Sequence, residues 1–188
     1  KLKGTVRVRL AEEGELLVTL DGIQRKLDKD MLVIADDNGP VAIAGVMGGL
    51  ETQVTAETKR ILFESAHFLN SSVRRTSRKL GLCSESSNRF EKRVNPHWTV
   101  ATLGRVAELL AEFKAGKPVS FSEKAGKLPP EVIIEVSFAR VNHVLGTEYK
   151  EEEVKRVFNN LGFIFQEKKA GFYTVRIPSY RQDLKIEE

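Results

Sequence analysis

The stretch from Gly116 to Pro130 holds three prolines and two glycines, and it interrupts the periodic patterns on both sides. Proline removes a backbone donor and fixes φ, while glycine favours no single conformation, so neither a helix nor a central strand is expected there. The 188 residues are thereby divided into two pieces, each long enough for a small domain. Residues 1–116 are expected to form one module, 117–130 a linker and 131–188 a second module.

The first piece begins with β patterns. Thr5–Leu10 alternates, and Leu16–Leu20 runs into Asp21-Gly22, a dipeptide suited to a tight hairpin turn. Met31–Ala35 and Val41–Gly45 are short apolar runs joined through Asp36-Asp37-Asn38-Gly39-Pro40, which predicts adjacent strands; Ile61–Phe63 reads as another. Helical signals follow. Asn70, Ser71 or Ser72 is expected to cap a helix through Leu80, and Ser84 or Ser86 a shorter one through Arg93. Val100, Leu103, Val106, Ala107, Leu110 and Phe113 form a helical stripe between His97 and Lys114. Beyond the linker the order is a strand at Val132–Ile134, helices at Phe138–Leu145 and Glu151–Leu161, and strands at Phe163–Glu167 and Phe172–Ile177. The class is α+β: a mixed-sheet module with helices, then a small unit like a winged helix.

A single cysteine, Cys83, excludes an internal disulfide framework and a cysteine zinc site, and it reads as a small buried residue. No apolar run approaches the ~18 residues of a membrane span, no signal peptide opens the chain, and a reducing cytoplasm is the expected compartment. The ends read as those of a piece of a longer protein. Charge is uneven: Asn70–Arg93 carries seven Lys and Arg against two Glu, more than the whole chain's net +4. Such a stretch is either a polyanion contact or a solvated helix face.

No nucleophile–base motif, phosphate loop or dinucleotide fingerprint is present. His67, His97 and His143 have no metal-binding spacing and read as structural or surface residues. Glu64 follows the apolar Ile61–Phe63. Either strand alternation turns it to solvent or it stands at a pocket wall, accepting a hydrogen bond from a bound polar group. Gly45, Gly48 and Gly49 permit close backbone approach, and an N-cap accounts for one of Ser84, Ser86 and Ser87 but not all three.

The runs Thr19–Gly22, Leu32–Asp36, Ala44–Gly49, Phe63–Ala66 and Ser84–Pro96 together resemble the editing module of the bacterial phenylalanine–tRNA ligase beta subunit. Leu145-Gly146, Leu161–Phe163, Ile177–Asp183 and Ile186–Glu188 resemble the winged-helix-like module that follows it. The resemblance departs at Arg93-Val94-Asn95-Pro96, where the family usually has Gly-Val-Asp-Pro, and at Ser86, where it has Ala.

The resemblance implies a cytoplasmic alpha₂beta₂ enzyme that attaches phenylalanine to tRNA(Phe) with ATP and magnesium, the alpha subunit holding the synthetic site. The segment here would hydrolyse tyrosyl-tRNA(Phe). A pocket for an apolar ring cannot strongly reject an isostere that adds one hydroxyl, so a second sieve is needed. By the resemblance, Glu64 accepts the tyrosine hydroxyl, Ser84, Ser86, Gly48 and Gly49 line the pocket, and a positioned water attacks with help from the tRNA terminal hydroxyls. Asp183 matches a residue that helps hold Mg2+ at the alpha-subunit interface. Arg74, Arg75 and Arg78 are the expected tRNA contacts. The alternatives are a non-catalytic RNA-binding module and a structural piece whose editing has lapsed.

Overall fold

Short apolar runs separated by tight turns pair with their neighbours. The first run of elements is β1 (Arg7–Leu10), β2 (Leu16–Val18), β3 (Gln24–Lys26), β4 (Leu32–Asp36), β5 (Gly39–Ile43) and β6 (Met47–Gly48). The helices α1 (Asn70–Lys79), α2 (Glu85–Phe90) and α3 (Thr99–Glu112) follow. In the computed structural model, which describes residues 1–124 and 126–186, this belongs to a unit spanning Lys1–Lys117; a second unit spans Pro118–Glu188.

The main sheet has the order β1-β4-β5-β6, with β2 and β3 forming a separate hairpin. Across the ladder, Val33 stands opposite Ile43, and both are buried, with Ala35, in a core that also takes Leu17, Leu27, Met31, Ala44, Val46, Phe68, Val73 and Leu82. Burying side chains of this size contributes about 1.5–3 kcal/mol for each large one. The turn after β4 is organised by Asp36, whose carboxylate accepts the amides of Asn38 and Lys3, each at 2.8 Å. Those two bonds, Asn38 first, hold its carboxyl below the ordinary aspartate range. The β2–β3 hairpin is fastened to α1: Arg25 donates to Thr19 Oγ1 at 3.0 Å, to Asp21 at 2.6 Å and to the Leu80 carbonyl at 3.1 Å.

The second unit contains β7 (Val132–Ser137), α4 (Phe138–Leu145), α5 (Glu151–Asn160), β8 (Ile164–Lys169) and β9 (Phe172–Ile177), with sheet order β7-β9-β8. Ser137 caps α4, and Gly146 ends it at φ 64°, a conformation that glycine adopts without strain. Ile134, Tyr173, Val175 and Ile177 form its core, with Phe138, Phe158, Phe163 and Phe165 against it. The Tyr173 hydroxyl bonds to Glu151. Strand, helix, helix and hairpin in this order match the winged-helix-like expectation. Glu187 and Glu188, part of the tail that carries the resemblance, lie outside the described residues, as does Ala125 in the linker.

The α+β class holds, but every strand pairing among the described residues is antiparallel rather than mixed. The β4–β5 and β8–β9 turns are short, and a parallel neighbour would need a crossover of a dozen residues or more. Ile61–Phe63 forms no strand, and all three residues are exposed. The sheet's last strand, β6, is two residues long and leaves almost no edge to pair with. Strand alternation therefore does not govern Glu64. The predicted caps of α1 are also displaced: Leu69 is its N-cap, with no side-chain bond, and the Asn70 amide instead reaches the Glu91 carbonyl at 3.5 Å. Cys83 is exposed rather than buried, because its neighbour Leu82 takes the inward position. In α3, Leu103, Val106, Ala107 and Leu110 are half-buried, while Val100 and Phe113 at the ends of the stripe are exposed.

Candidate functional site

The glycine turn is built by two different constraints. Gly45 sits at φ 70°, and a Cβ there would lie 3.0 Å from both Phe68 and Val73. Gly49 is buried, and a Cβ there would come within 2.7 Å of the Val41 carbonyl. Both glycines are required by packing. Gly48 differs: its Cβ would meet only Leu20, at 3.4 Å, an ordinary contact. Of the two glycines expected to line a pocket, only Gly48 is left without an internal reason.

The serine segment is tied to that turn. Ser84 is the N-cap of α2: its hydroxyl accepts the Ser87 amide at 3.0 Å and donates to the Val46 carbonyl at 2.5 Å. Ser87 reciprocates, accepting the Ser84 amide at 2.9 Å and closing a capping box. Ser86 donates to the Gly45 carbonyl at 3.1 Å. Ser77, on α1, bonds to the Leu82 carbonyl at 2.7 Å and lies 3.5 Å from the Ser87 hydroxyl. All three serines of the segment thus have internal partners. Ser84 and Ser86 brace the glycine turn 38 and 41 residues upstream, which no local motif announces.

Glu64 lies in the irregular segment between β6 and α1 and makes no hydrogen bond or ion pair with any described residue. It is exposed, yet surrounding protein thins its hydration and raises its carboxyl above the ordinary glutamate range. The native state therefore holds that proton more tightly than the unfolded chain. Stability from the neutral form is present below the unfolded value of 4.5 and is lost as pH rises through the raised native value. Glu64→Gln should melt slightly higher than the parent chain at about pH 7 and no higher at about pH 4, as read from thermal denaturation across that range.

Arg74, Arg75 and Arg78 occupy the exposed side of α1, opposite Val73, Thr76 and Ser77, and carry no ion pair among the described residues. His67, His97 and His143 are exposed. Asp183 is held on both oxygens by Arg181, at 2.9 and 2.8 Å, and this pairing draws its carboxyl below the ordinary range. Magnesium takes several oxygen ligands in octahedral geometry. Among the described residues no group of three or more His, Cys, Asp or Glu could hold a metal ion, so Asp183 does not make a magnesium site with them. One further feature emerges: Glu85, Asn88, Arg89, Lys92 and Arg93 lie together on the open, solvent-exposed side of α2 and the turn after it. The basic run marked its cations, and α2 with its turn brings Arg89, Lys92 and Arg93 to one exposed face.

Residues 1–115 match the B3/4 domain family. The chain belongs to that family. Beyond the B3/4 domain, residues 134–188 match the tRNA synthetase B5 domain. The Moorella thermoacetica phenylalanine–tRNA ligase beta subunit is 47% identical over 179 residues, covering 94% of this chain and 22% of the relative. The beta subunit from Halalkalibacterium halodurans is 42% identical over 97% of this chain and 23% of the relative. This B3/4 chain therefore spans under a quarter of the length of these curated relatives. An N-terminal fragment of the phenylalanyl-tRNA synthetase beta subunit from Pyrococcus horikoshii aligns over 98% of this chain and 53% of that one, at 14% identity and a TM-score of 0.46. The resemblance read from the motifs is borne out. No helix among the described residues is long and apolar enough to cross a membrane.

Proposed function

We propose that this chain is the editing segment of a phenylalanine–tRNA ligase beta subunit, hydrolysing the ester of tyrosyl-tRNA(Phe). In the whole enzyme, an alpha₂beta₂ assembly would attach phenylalanine to tRNA(Phe) using ATP and magnesium, with the alpha subunit supplying the synthetic site. The observation that carries the editing reading is Glu64: a partly dehydrated carboxyl with no hydrogen-bond partner among the described residues. Once a bound aminoacyl group covers this exposed carboxyl and displaces its water, a phenol hydroxyl would satisfy it and a phenyl ring would not, which is the discrimination a second sieve needs. Ser84 and Ser86 act by bracing the turn that presents Gly48, where a missing side chain leaves room for the substrate. Attack by a positioned water, assisted by the tRNA terminal hydroxyls, needs no protein nucleophile.

The same serine bonds favour a second reading. With both hydroxyls occupied by backbone carbonyls, the turn has few free donors, as expected of a structural or RNA-binding module whose editing has lapsed. One experiment separates the two: the full-length alpha–beta enzyme is mixed with tyrosyl-tRNA(Phe) and with phenylalanyl-tRNA(Phe), and release of each amino acid is timed. Editing predicts rapid, tyrosine-selective release, whereas release of neither ester above the uncatalysed rate leaves the second reading.

A further inference from the structure

We propose that Leu20, at the turn of the β2–β3 hairpin, is the wall against which the aromatic ring of the aminoacyl group rests. The inference rests on the editing reading above and supplies what Glu64 does not, a contact common to tyrosine and phenylalanine. Gly48 is free of the packing demands that fix Gly45 and Gly49. A β-carbon built there would meet, among the described residues, only Leu20. The space left by the missing side chain is therefore bounded by Leu20. The surface beside it is apolar as well. Val33 and Ile43 face the core, so the adjacent Ile34 and Ala42 face the other way. On that outer face the ladder sets Val8 opposite Ile34, Ile34 opposite Ala42 and Ala42 opposite Gly48, a row without a charged side chain.

Leu20 is held in place by backbone on one side and by a polar frame on the other. Its amide donates to the Gly48 carbonyl at 3.0 Å, and Thr19 bridges to Gly49. Thr19 is fully buried, and Arg25 binds its hydroxyl together with Asp21 and the Leu80 carbonyl. The side chain carried on this braced turn is nevertheless 48% exposed. A rigidly presented apolar side chain, half out of water beside an unfilled position, has area left for a ligand to cover. Glu64 belongs to the same neighbourhood: it stands four residues before Phe68, which packs on Gly45 of the glycine turn. Four residues of chain span at most about 14 Å. Recognition thereby divides in two: Leu20 takes the ring, and Glu64 tells phenol from phenyl.

The test times hydrolysis of tyrosyl-tRNA(Phe) and phenylalanyl-tRNA(Phe) by the full-length alpha–beta enzyme in excess, so that the slower ester is also read. Leu20→Ala is expected to slow both by about tenfold or more and to leave their ratio within about twofold of the parent's, because the lost contact is to the ring. Leu20→Met keeps the volume and should regain most of the rate on both esters. Glu64→Ala moves the ratio instead, so one assay separates the two roles. Urea midpoints of the same variants read a packing role. A rate loss that tracks a lowered midpoint, or that Leu20→Met does not regain, overturns the proposal and leaves Leu20 a structural residue of the hairpin. Parent rates in Leu20→Ala, or a loss confined to the tyrosyl ester, also overturn it while the editing reading stands. A parent enzyme that releases neither amino acid above the uncatalysed rate overturns both.

Discussion

Gly45→Ala should lower the unfolding free energy of the first unit by roughly 2–4 kcal/mol. Two costs combine at this position. The backbone at φ 70° disfavours any β-carbon by about 1–2 kcal/mol. The added methyl would also press on Phe68 and Val73 at 3.0 Å and on Phe90 at 3.3 Å. Phe68 and Phe90 already pack with ring centroids 5.0 Å apart, and Phe68 and Val73 are buried, so neither neighbour can give without disturbing the core. Gly48→Ala is the control: its β-carbon would make ordinary contact with Leu20, and its stability should stay within about 0.5 kcal/mol of the parent. Urea denaturation of the chain, followed by circular dichroism, reads both. Equal midpoints for the two variants would show that the turn is not held as described.

Glu64→Ala should reduce the preference for tyrosyl over phenylalanyl ester, in the full-length enzyme, by roughly tenfold to a hundredfold. That range corresponds to losing one hydrogen bond to a charged group, about 1.5–3 kcal/mol. The effect should fall on the ratio of hydrolysis rates, because phenylalanine never makes the bond. Affinity for tRNA should hardly move, since Glu64 makes no hydrogen bond or ion pair with the basic residues of α1 or α2. Initial rates on the two charged tRNAs give the ratio, and a filter-binding titration gives the affinity. A variant that keeps its tyrosine preference would remove Glu64 from the sieve.

Local chemistry made much of this architecture legible. Asp21-Gly22 forecast a turn, and Gly22 takes φ 79° there; Gly81 and Gly146 follow helix ends at φ 59° and 64°. Each depends on a few adjacent residues. Ile61–Phe63 misled because apolar composition does not reveal whether a sheet edge is free to pair, and β6 is too short to offer one. Ser86 was visible as a candidate, but its partner, the Gly45 carbonyl, is 41 residues away and no spacing rule connects them. Cys83 looked buried by residue type alone, whereas the turn between α1 and α2 sends Leu82 inward and leaves the thiol in solvent. The left-handed backbone of Arg93 had one signal in the sequence: the residue stands where the resembled family usually has glycine, which takes φ 68° without strain.

The bond from Arg25 to the Leu80 carbonyl reaches beyond its own hairpin. A two-stranded ribbon is marginally stable in water by itself and would be expected to open and close independently of its surroundings. Here the guanidinium that holds the hairpin's turn through Asp21 and Thr19 also holds the carbonyl of Leu80, the residue that closes α1. Fraying at either end breaks the shared bond from Arg25 to the Leu80 carbonyl. The hairpin and the end of the helix are therefore expected to open as one unit, their amides losing protection from solvent exchange together rather than in sequence.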